Sequence, residues 1–450
     1  MTDSRISSMP LWAPLLRLWR TFIDEPNLPL LDRWLKQQQR QGGGLQGLPV
    51  AEHLWLSAGL RQAVIFLQLA SALEVAYRQR TWAHNWLEWD RQWSPDRVKS
   101  IPVAAFWGWI ALRQGWDTGA LRLADKAERR RFYAECEAAV ADMASAAEIP
   151  PWYFLWYGLR PGWTGLLAER ARLSDWSSEE CRHFFYQQTQ LPPLWLRPQQ
   201  GVSAQVMADT LVKQGVSARL DLQGNLFAQG GRGLASTAAY QQGLVEIQDW
   251  ASQQIAAAVQ AQPGQKVWDC CAGAGGKTLA IAAPMENKGV LVATDLYAYK
   301  LEELKRRAKR AGLFNLRSFT WTGEQPLQLP QEIARQQGFD WVLVDAPCTA
   351  SGTWRRNPDA RWRFNPADTQ ELVDIQRRLL DLAAVSVRPG GHLVYATCSW
   401  QYAENEAQAD AFCARHPAFE PVSQRLVGAP RQDSDTMFVA VFRRLFDDTK

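Results

Sequence analysis

The chain has 450 residues, 47% of them apolar and 21% charged, with a formal net charge of +4. That length predicts two or three domains, and the composition is that of a soluble globular protein. No uncharged apolar run is long enough to cross a bilayer, which excludes a membrane-spanning class, while the weakly basic balance permits a nucleic-acid partner without requiring one.

The start, "MTDSRISSMPLW", lacks the basic head, apolar middle and small-residue cleavage site of a secretory signal, so a cytoplasmic protein with reduced thiols is expected. Residues 1–148 show helical spacing, as in "LPLLDRWLKQQQ" and "RRRFYAECEAAVADMASAAE", and predict an all-helical domain. Within it "RQAVIFLQLASALE" reads as a buried helix. The 23 tryptophans crowd toward this half of the chain. Core packing is their expected role, with stacking on nucleic-acid bases as the alternative.

"IPPW" at 149–152 breaks the helical pattern, and "LPPLWLRPQQG" at 191–201 opens an extended stretch. Residues 149–240, with short pieces such as "SARLDL" and "NLFAQGGRG", read as a small α+β region. From 241 to 450 apolar runs alternate with amphipathic helices: "QKVWDCCAG", "GVLVATDL", "DWVLVDAPC" and "GGHLVYATCS". That alternation predicts an α/β fold with a parallel, doubly wound sheet. The helix before the last run carries Leu372, Ile375, Leu379 and Leu382 at three- and four-residue steps, a face to bury, with Arg377 and Arg378 left outside.

"VWDCCAGAGGKT" follows the first strand and opens a helix, so Gly273, Gly275 and Gly276 sit where the backbone turns sharply and approaches a ligand. A phosphate loop needs glycine at position 271, which is Cys271, and the dinucleotide spacing G-x-G-x-x-G is not met either. Asp295 ends the second strand, twenty residues past Gly275, where a carboxylate can accept both hydroxyls of an adenosine ribose. These features suit S-adenosylmethionine as readily as a nicotinamide.

Seven cysteines are scattered along the chain. Adjacent Cys270 and Cys271 cannot form a usual metal pair, and Cys413 with His416 stands alone, so no metal site is expected. Cys348 and Cys398 each lie just past an apolar strand, at the carboxyl edge where a doubly wound sheet binds its ligands. Neighbouring strands lie about 5 Å apart, close enough for both thiols to meet one small substrate. Two inert buried cysteines are the bland alternative. Beside a methyl donor, one reaction needs two such groups. Carbon 5 of cytosine becomes nucleophilic only after a thiolate adds at carbon 6, and a base must then remove the carbon 5 proton before the thiolate leaves. Asp345, three residues before Cys348, is a candidate to hydrogen-bond the ring nitrogen that gains basicity. Residue chemistry alone does not say which cysteine attacks.

"DCCAGAGGKT", "DAPCTASGTWRRNPDARW", "YATCSW" with Glu404-Asn405, "PPLWLR" and "IQDWASQQ" together resemble the RsmB/Nop, or Sun, family of RNA cytosine-5 methyltransferases over residues 150–450. The resemblance implies a Rossmann-like class I methyltransferase domain at 241–450 and a helical N-terminal domain serving as an RNA-binding extension. It further implies that Cys398 is the nucleophile and that Cys348 assists breakdown of the adduct. Ala272, Gly273, Gly275, Gly276, Lys277 and Asp295 are implied to contact S-adenosylmethionine, with Asp345 near both methyl and base. Gly273-Ala274 replaces the family's usual Ala-Pro in the first motif. The family's third-strand Gly-Asp is matched only by Gly323-Glu324.

Arg355, Arg356, Arg361 and Trp362 follow the Cys348 strand and are expected to contact RNA, whereas much of 300–310 reads as a solvated helix face. The base must leave its stack to be reached, so single-stranded or remodelled RNA is the expected partner. The sequence thus predicts a cytoplasmic cytosine-5 methyltransferase of RNA, with ribosomal RNA the expected target. A non-catalytic RNA-binding assembly factor on the same fold, and a methyltransferase of proteins or small molecules, are the rival readings.

Overall fold

Alternating apolar and polar texture builds two kinds of layer here, and the computed structural model describes them over residues 11–40, 44–142 and 149–446. Residues 1–10, on which the expected lack of a secretory signal rests, and the end of the helix expected at 129–148, past Asp142, lie outside the described residues. The chain divides into two units, one of Met1–Leu191 with Trp354–Phe364, the other of Pro192–Thr353 with Asn365–Lys450.

The first unit is helical, from Trp12–Asp24 through Ser178–Gln187. Most of its tryptophans are core residues, with Trp82, Trp89, Trp116, Trp152 and Trp176 half-buried. Trp19 stacks on Phe106 at 4.7 Å, and Trp107 meets Trp12 edge-on at 6.1 Å. The "RQAVIFLQLASALE" segment is buried as expected but spans two helices, Val50–Ile65 and Leu67–Gln79, bent by 63°. No single described helix is long and apolar enough to cross a membrane.

The boundary expected at 148/149 falls instead at Leu191/Pro192. Pro151 occupies the first turn of the helix Pro151–Trp156, where its missing N–H costs nothing, so "IPPW" begins a helix rather than leaving the helical unit. Two further helices, Thr164–Leu173 and Ser178–Gln187, follow before the chain leaves this unit.

The second unit opens with an antiparallel sheet of β1 (Leu194–Pro198), β2 (Ala218–Leu220), β3 (Leu226–Ala228) and β4 (Val245–Ile247), in the order β2-β3-β1-β4. Leu196, Met207, Leu211, Leu226, Leu234 and Val245 fill its core. This small layer groups with the following residues rather than standing apart from them.

Next come β5 (Lys266–Asp269), β6 (Val290–Asp295), β7 (Leu316–Thr320), β8 (Phe339–Asp345), β9 (Val387–Thr397), β10 (Phe419–Val427) and β11 (Met437–Arg444). They form one sheet in the order β10-β11-β9-β8-β5-β6-β7. Strands β5 to β9 run parallel, and β11 lies antiparallel between β9 and β10. Helices cover both faces, and buried clusters lie on each, one around Trp268, Val342 and Phe438, the other around Val267, Leu343 and Val439. Alternate residues of the same strands thus feed opposite layers. The helix Pro366–Ala384 buries Gln376, Leu379, Leu380 and Ala383, with Leu372, Ile375 and Leu382 half-buried and Arg377 and Arg378 exposed.

Candidate active site

Parallel pairing puts the carboxyl ends of β5, β6, β8 and β9 on one edge, where Asp269, Asp295, Asp345 and Thr397 end their strands. The glycine loop leaves this edge after Asp269. Gly275 has φ +86°, and a Cβ there would come within 2.1 Å of Leu304, so only glycine fits. Ala272 donates its N–H to Thr294 O at 2.8 Å, tying the loop to β6. Asp295 accepts from Gly273 N and Tyr297 N, each at 2.9 Å. A Cβ at Gly273 or Gly276 would meet nothing within 4 Å, leaving room beside an acidic strand end. Gly323, in the Gly323-Glu324 turn after β7, sits at φ +70° against Leu379.

Lys277 Nζ, on the helix Gly276–Ala282, donates to Asp345 Oδ2 at 2.7 Å. Burial alone would lower the lysine's pKa, but the charge and hydrogen bond of Asp345 outweigh it and the net shift is upward. The loop thus delivers a cation to the end of β8.

Asp269 is 1% exposed and accepts from Thr278 Oγ1 at 2.6 Å, while its Oδ1 has no hydrogen-bond partner. Burial raises its pKa to about 7 against the Thr278 bond, and the charge of Asp345 adds to the rise. The folded protein therefore holds a proton that the unfolded chain releases above about pH 4. The stability this contributes is complete below that pH and is lost as pH rises through about 7. Asp269→Asn cannot ionise, so its melting temperature relative to the unsubstituted protein is expected to rise between pH 5 and pH 8. A difference constant with pH would refute the titration.

Adjacent parallel β8 and β9 pair Asp345 with Ala396, and the loops beyond bring Cys348 Sγ to 3.3 Å from Cys398 Sγ. The hydrogen bond to Cys398 raises the Cys348 pKa well above its usual value, followed by burial and by the charges of Cys398 and Glu404. A polar network holds both loops. Ser351 Oγ and Ser399 Oγ lie 2.9 Å apart, and Gly352 N donates to Cys398 O at 2.9 Å. A Cβ at Gly352 would come within 1.8 Å of Thr436 O, so glycine is required for this approach. Ala350 is held at φ +54°, a strained setting for a residue with a Cβ, two positions past Cys348.

The structure thus gathers Cys398, Cys348, Asp345 and Lys277 at one strand edge, with the glycine loop and Asp295 on the same edge. It does not leave the expected RNA contacts there. Arg355, Arg361 and Trp362 are 1%, 0% and 6% exposed and belong to the helical unit, which corrects their reading as RNA ligands. Arg355 Nε donates to Gln187 O at 2.8 Å, and Trp362 Nε1 to Val64 O at 2.6 Å. The half-buried Arg356 receives a bond from Arg61 at its carbonyl, 2.6 Å away. Trp354 packs on Trp163 at 4.6 Å, pinning the loop. In the helix Ala298–Arg310, Lys305 and Arg306 pair with glutamates one turn back on a solvated face, whereas Arg307 and Arg310 turn inward to the buried Glu246.

Glu404 and Asn405 carry no role in the sequence reading, yet both are fully buried within bonding distance of the cysteine loops. Their sequence signal is their place in the motif that follows Cys398, which marks the family but assigns them no task. Among the described residues, no cluster of three or more His, Cys, Asp or Glu is placed to hold a metal.

A family model described as 16S rRNA methyltransferase RsmB/F matches residues 256–443. "Ribosomal RNA small subunit methyltransferase B" of Salmonella arizonae is 30% identical over 302 residues, covering 63% of this chain and 66% of that protein. "Ribosomal RNA small subunit methyltransferase F" of Escherichia coli is 34% identical over 219 residues, covering 48% and 45%. A Bacillus subtilis relative is 38% identical over 42% of this chain and 41% of its own length, so the chain spans from about two fifths to two thirds of the curated relatives it matches. The solved structure of PH0851 shares the fold at a TM-score of 0.66 and 21% identity, over 96% of this chain and 97% of that one. A methyltransferase homologue from Pyrococcus horikoshii aligns at a TM-score of 0.53 and 24% identity, over 65% and 97%. The family match runs unbroken through the glycine loop, both cysteine loops and the returning strand β11, and on that ground the chain belongs to the RsmB/Nop, or Sun, family of methyltransferases.

Proposed function

We propose that this protein is an S-adenosylmethionine-dependent methyltransferase acting on carbon 5 of a cytosine in small-subunit ribosomal RNA. The observation that carries the reading is the pair of thiols 3.3 Å apart at the ends of neighbouring parallel strands, on the edge that holds the Lys277–Asp345 pair. The names of the ribosomal RNA methyltransferases B and F support the substrate class.

The first motif fits the cofactor. Asp295 offers a carboxylate for ribose hydroxyls, Asp269 has an unpartnered buried oxygen, and open space lies beside Gly273 and Gly276. When bound, S-adenosylmethionine supplies an electrophilic methyl group.

Cys398 attacks carbon 6 of the base, and the ring nitrogen that gains basicity as that bond forms hydrogen-bonds at Asp345, whose partner Lys277 keeps its own proton. Cys348 stays a thiol at this stage, because the neighbouring sulfur disfavours its ionisation. Once Cys398 is bonded to carbon, its charge is gone and its hydrogen bond weakened, and Cys348 is free to ionise and take the carbon 5 proton. With carbon 5 having taken the methyl group before it gave up its proton, elimination restores the Cys398 thiolate and releases methylated RNA. On this reading Cys398 acts first as nucleophile and Cys348 later as base.

The test is labelled methyl transfer to total RNA, with 5-azacytosine-containing RNA as a covalent trap. Label in 5-methylcytosine and a protein–RNA band stable to denaturant are expected. Tight RNA binding with neither outcome would favour an assembly factor, and transfer without any trapped band would favour a non-cytosine substrate.

A further inference from the structure

Glu404 and Asn405 are consecutive, fully buried, and joined to opposite cysteine loops. Glu404 Oε1 accepts from Thr349 N at 2.8 Å and from Gln376 Nε2 at 3.1 Å, and Oε2 accepts from Thr349 Oγ1 at 2.6 Å. Gln376 Nε2 also donates to Pro347 O at 3.0 Å, so the peptide is held on both sides of Cys348. Asn405 treats Cys398 the same way. Its Oδ1 accepts from Thr397 Oγ1 at 2.6 Å, and its Nδ2 donates to Ser399 O at 2.9 Å. Tyr395, on β9, donates its hydroxyl to Glu404 O at 2.6 Å and fixes the turn itself to the sheet.

We propose that Glu404 and Asn405 are positioning residues that form a clasp, Glu404 holding the Cys348 loop and Asn405 the Cys398 loop, so that the two sulfurs are kept in register. Neither residue touches the substrate in this scheme. Helix packing alone does not demand a buried carboxyl group here, since an apolar residue would seal the same space without a desolvation penalty. What the polar pair adds is directional bonding to four backbone or hydroxyl groups that flank the thiols. A second consequence is electrostatic, because the charge of Glu404 opposes ionisation of Cys348. The catalytic meaning of the clasp rests on the proposed cytosine chemistry, but its geometry does not.

The test therefore begins with the full-length protein alone, without RNA or cofactor. Diamide removes two electrons and two protons from a thiol pair to give a disulfide and is itself reduced to the hydrazine. Its coupling of Cys348 to Cys398, read by peptide mass mapping, is expected to slow by about tenfold in Asn405→Ala, since a small displacement costs heavily in a proximity-driven reaction. In Glu404→Gln the pH profile of Cys348 alkylation by iodoacetamide is expected to move acidward by about one unit. Thr349→Val, which removes a hydroxyl that donates to Glu404 Oε2 and also accepts from Gln401 Nε2 at 2.9 Å, is expected to slow disulfide coupling in the same direction and serves if the larger changes disturb folding. With 5-azacytosine RNA, Asn405→Ala is expected to lose most of the trapped adduct, whereas Glu404→Gln still forms it.

A merely structural role would lower the melting temperature of these variants while leaving both the coupling rate and the Cys348 profile where they are, and that result overturns the clasp. If unsubstituted protein never forms the RNA adduct but the coupling and alkylation shifts appear, the clasp stands and the cytosine reading falls. The reverse pattern separates the two ideas in the other direction.

Discussion

Cys398→Ala is expected to lose both methyl transfer and the covalent RNA adduct, whereas Cys348→Ala is expected to stall with RNA still attached. The asymmetry follows from the order of the two steps, attack by Cys398 and then proton removal by Cys348. Removing a covalent nucleophile costs at least about a thousandfold in turnover, because no other group forms the bond to carbon 6. Removing the base that clears carbon 5 costs about a hundredfold to ten-thousandfold, and leaves the first bond intact. Cys348 is suited to the later step because its pKa is held high while Cys398 is a free neighbour 3.3 Å away. Labelled-methyl incorporation and denaturing gels of the two variants read the difference directly. An adduct that survives in Cys398→Ala and vanishes in Cys348→Ala would exchange the two roles.

Much of this edge was legible because it depends on local sequence. Four apolar runs became β5, β6, β8 and β9, and β6 ends on Asp295 as the pattern marked, since a parallel strand buried on both faces has to be continuously apolar. The two cysteines were legible for the same reason: a strand end fixes where the next three residues emerge. Strand β10 was not. Its burial is confined to the two ends, with Pro421 to Arg425 largely exposed, as suits an edge strand, and its place depends on β11 returning antiparallel beside β9. The clasp was hidden because nothing in a Glu-Asn pair says that it will be buried. The basic loop misled for a further reason. Arg361 bonds a carbonyl 203 residues earlier and Trp362 one 298 residues earlier, so local composition reads as a solvated, RNA-facing loop what distant chain encloses.

That enclosure makes a prediction opposite to the one an RNA-facing loop would make. Arg361 is 0% exposed and donates to three carbonyls: Gly158 O at 2.6 Å, Trp354 O at 3.1 Å and Gln188 O at 3.2 Å. Burial lowers its pKa, and the charge of Asp359 opposes that shift. Such a guanidinium persists in a dry site because its planar fork satisfies several acceptors at once, which a lysine ammonium on a flexible stem does not reproduce. Arg361→Ala strands all three carbonyls in the helical unit and leaves a large void. The expected loss is about 3 to 5 kcal/mol of unfolding free energy, seen as an earlier urea midpoint, and Arg361→Lys is expected to recover less than half of it. RNA affinity of whatever remains folded at low temperature is expected to stay within about twofold, since a buried donor engaged with backbone neutralises no phosphate. An unchanged urea midpoint combined with weaker, less salt-sensitive RNA binding would return Arg361 to the RNA surface and overturn the structural assignment.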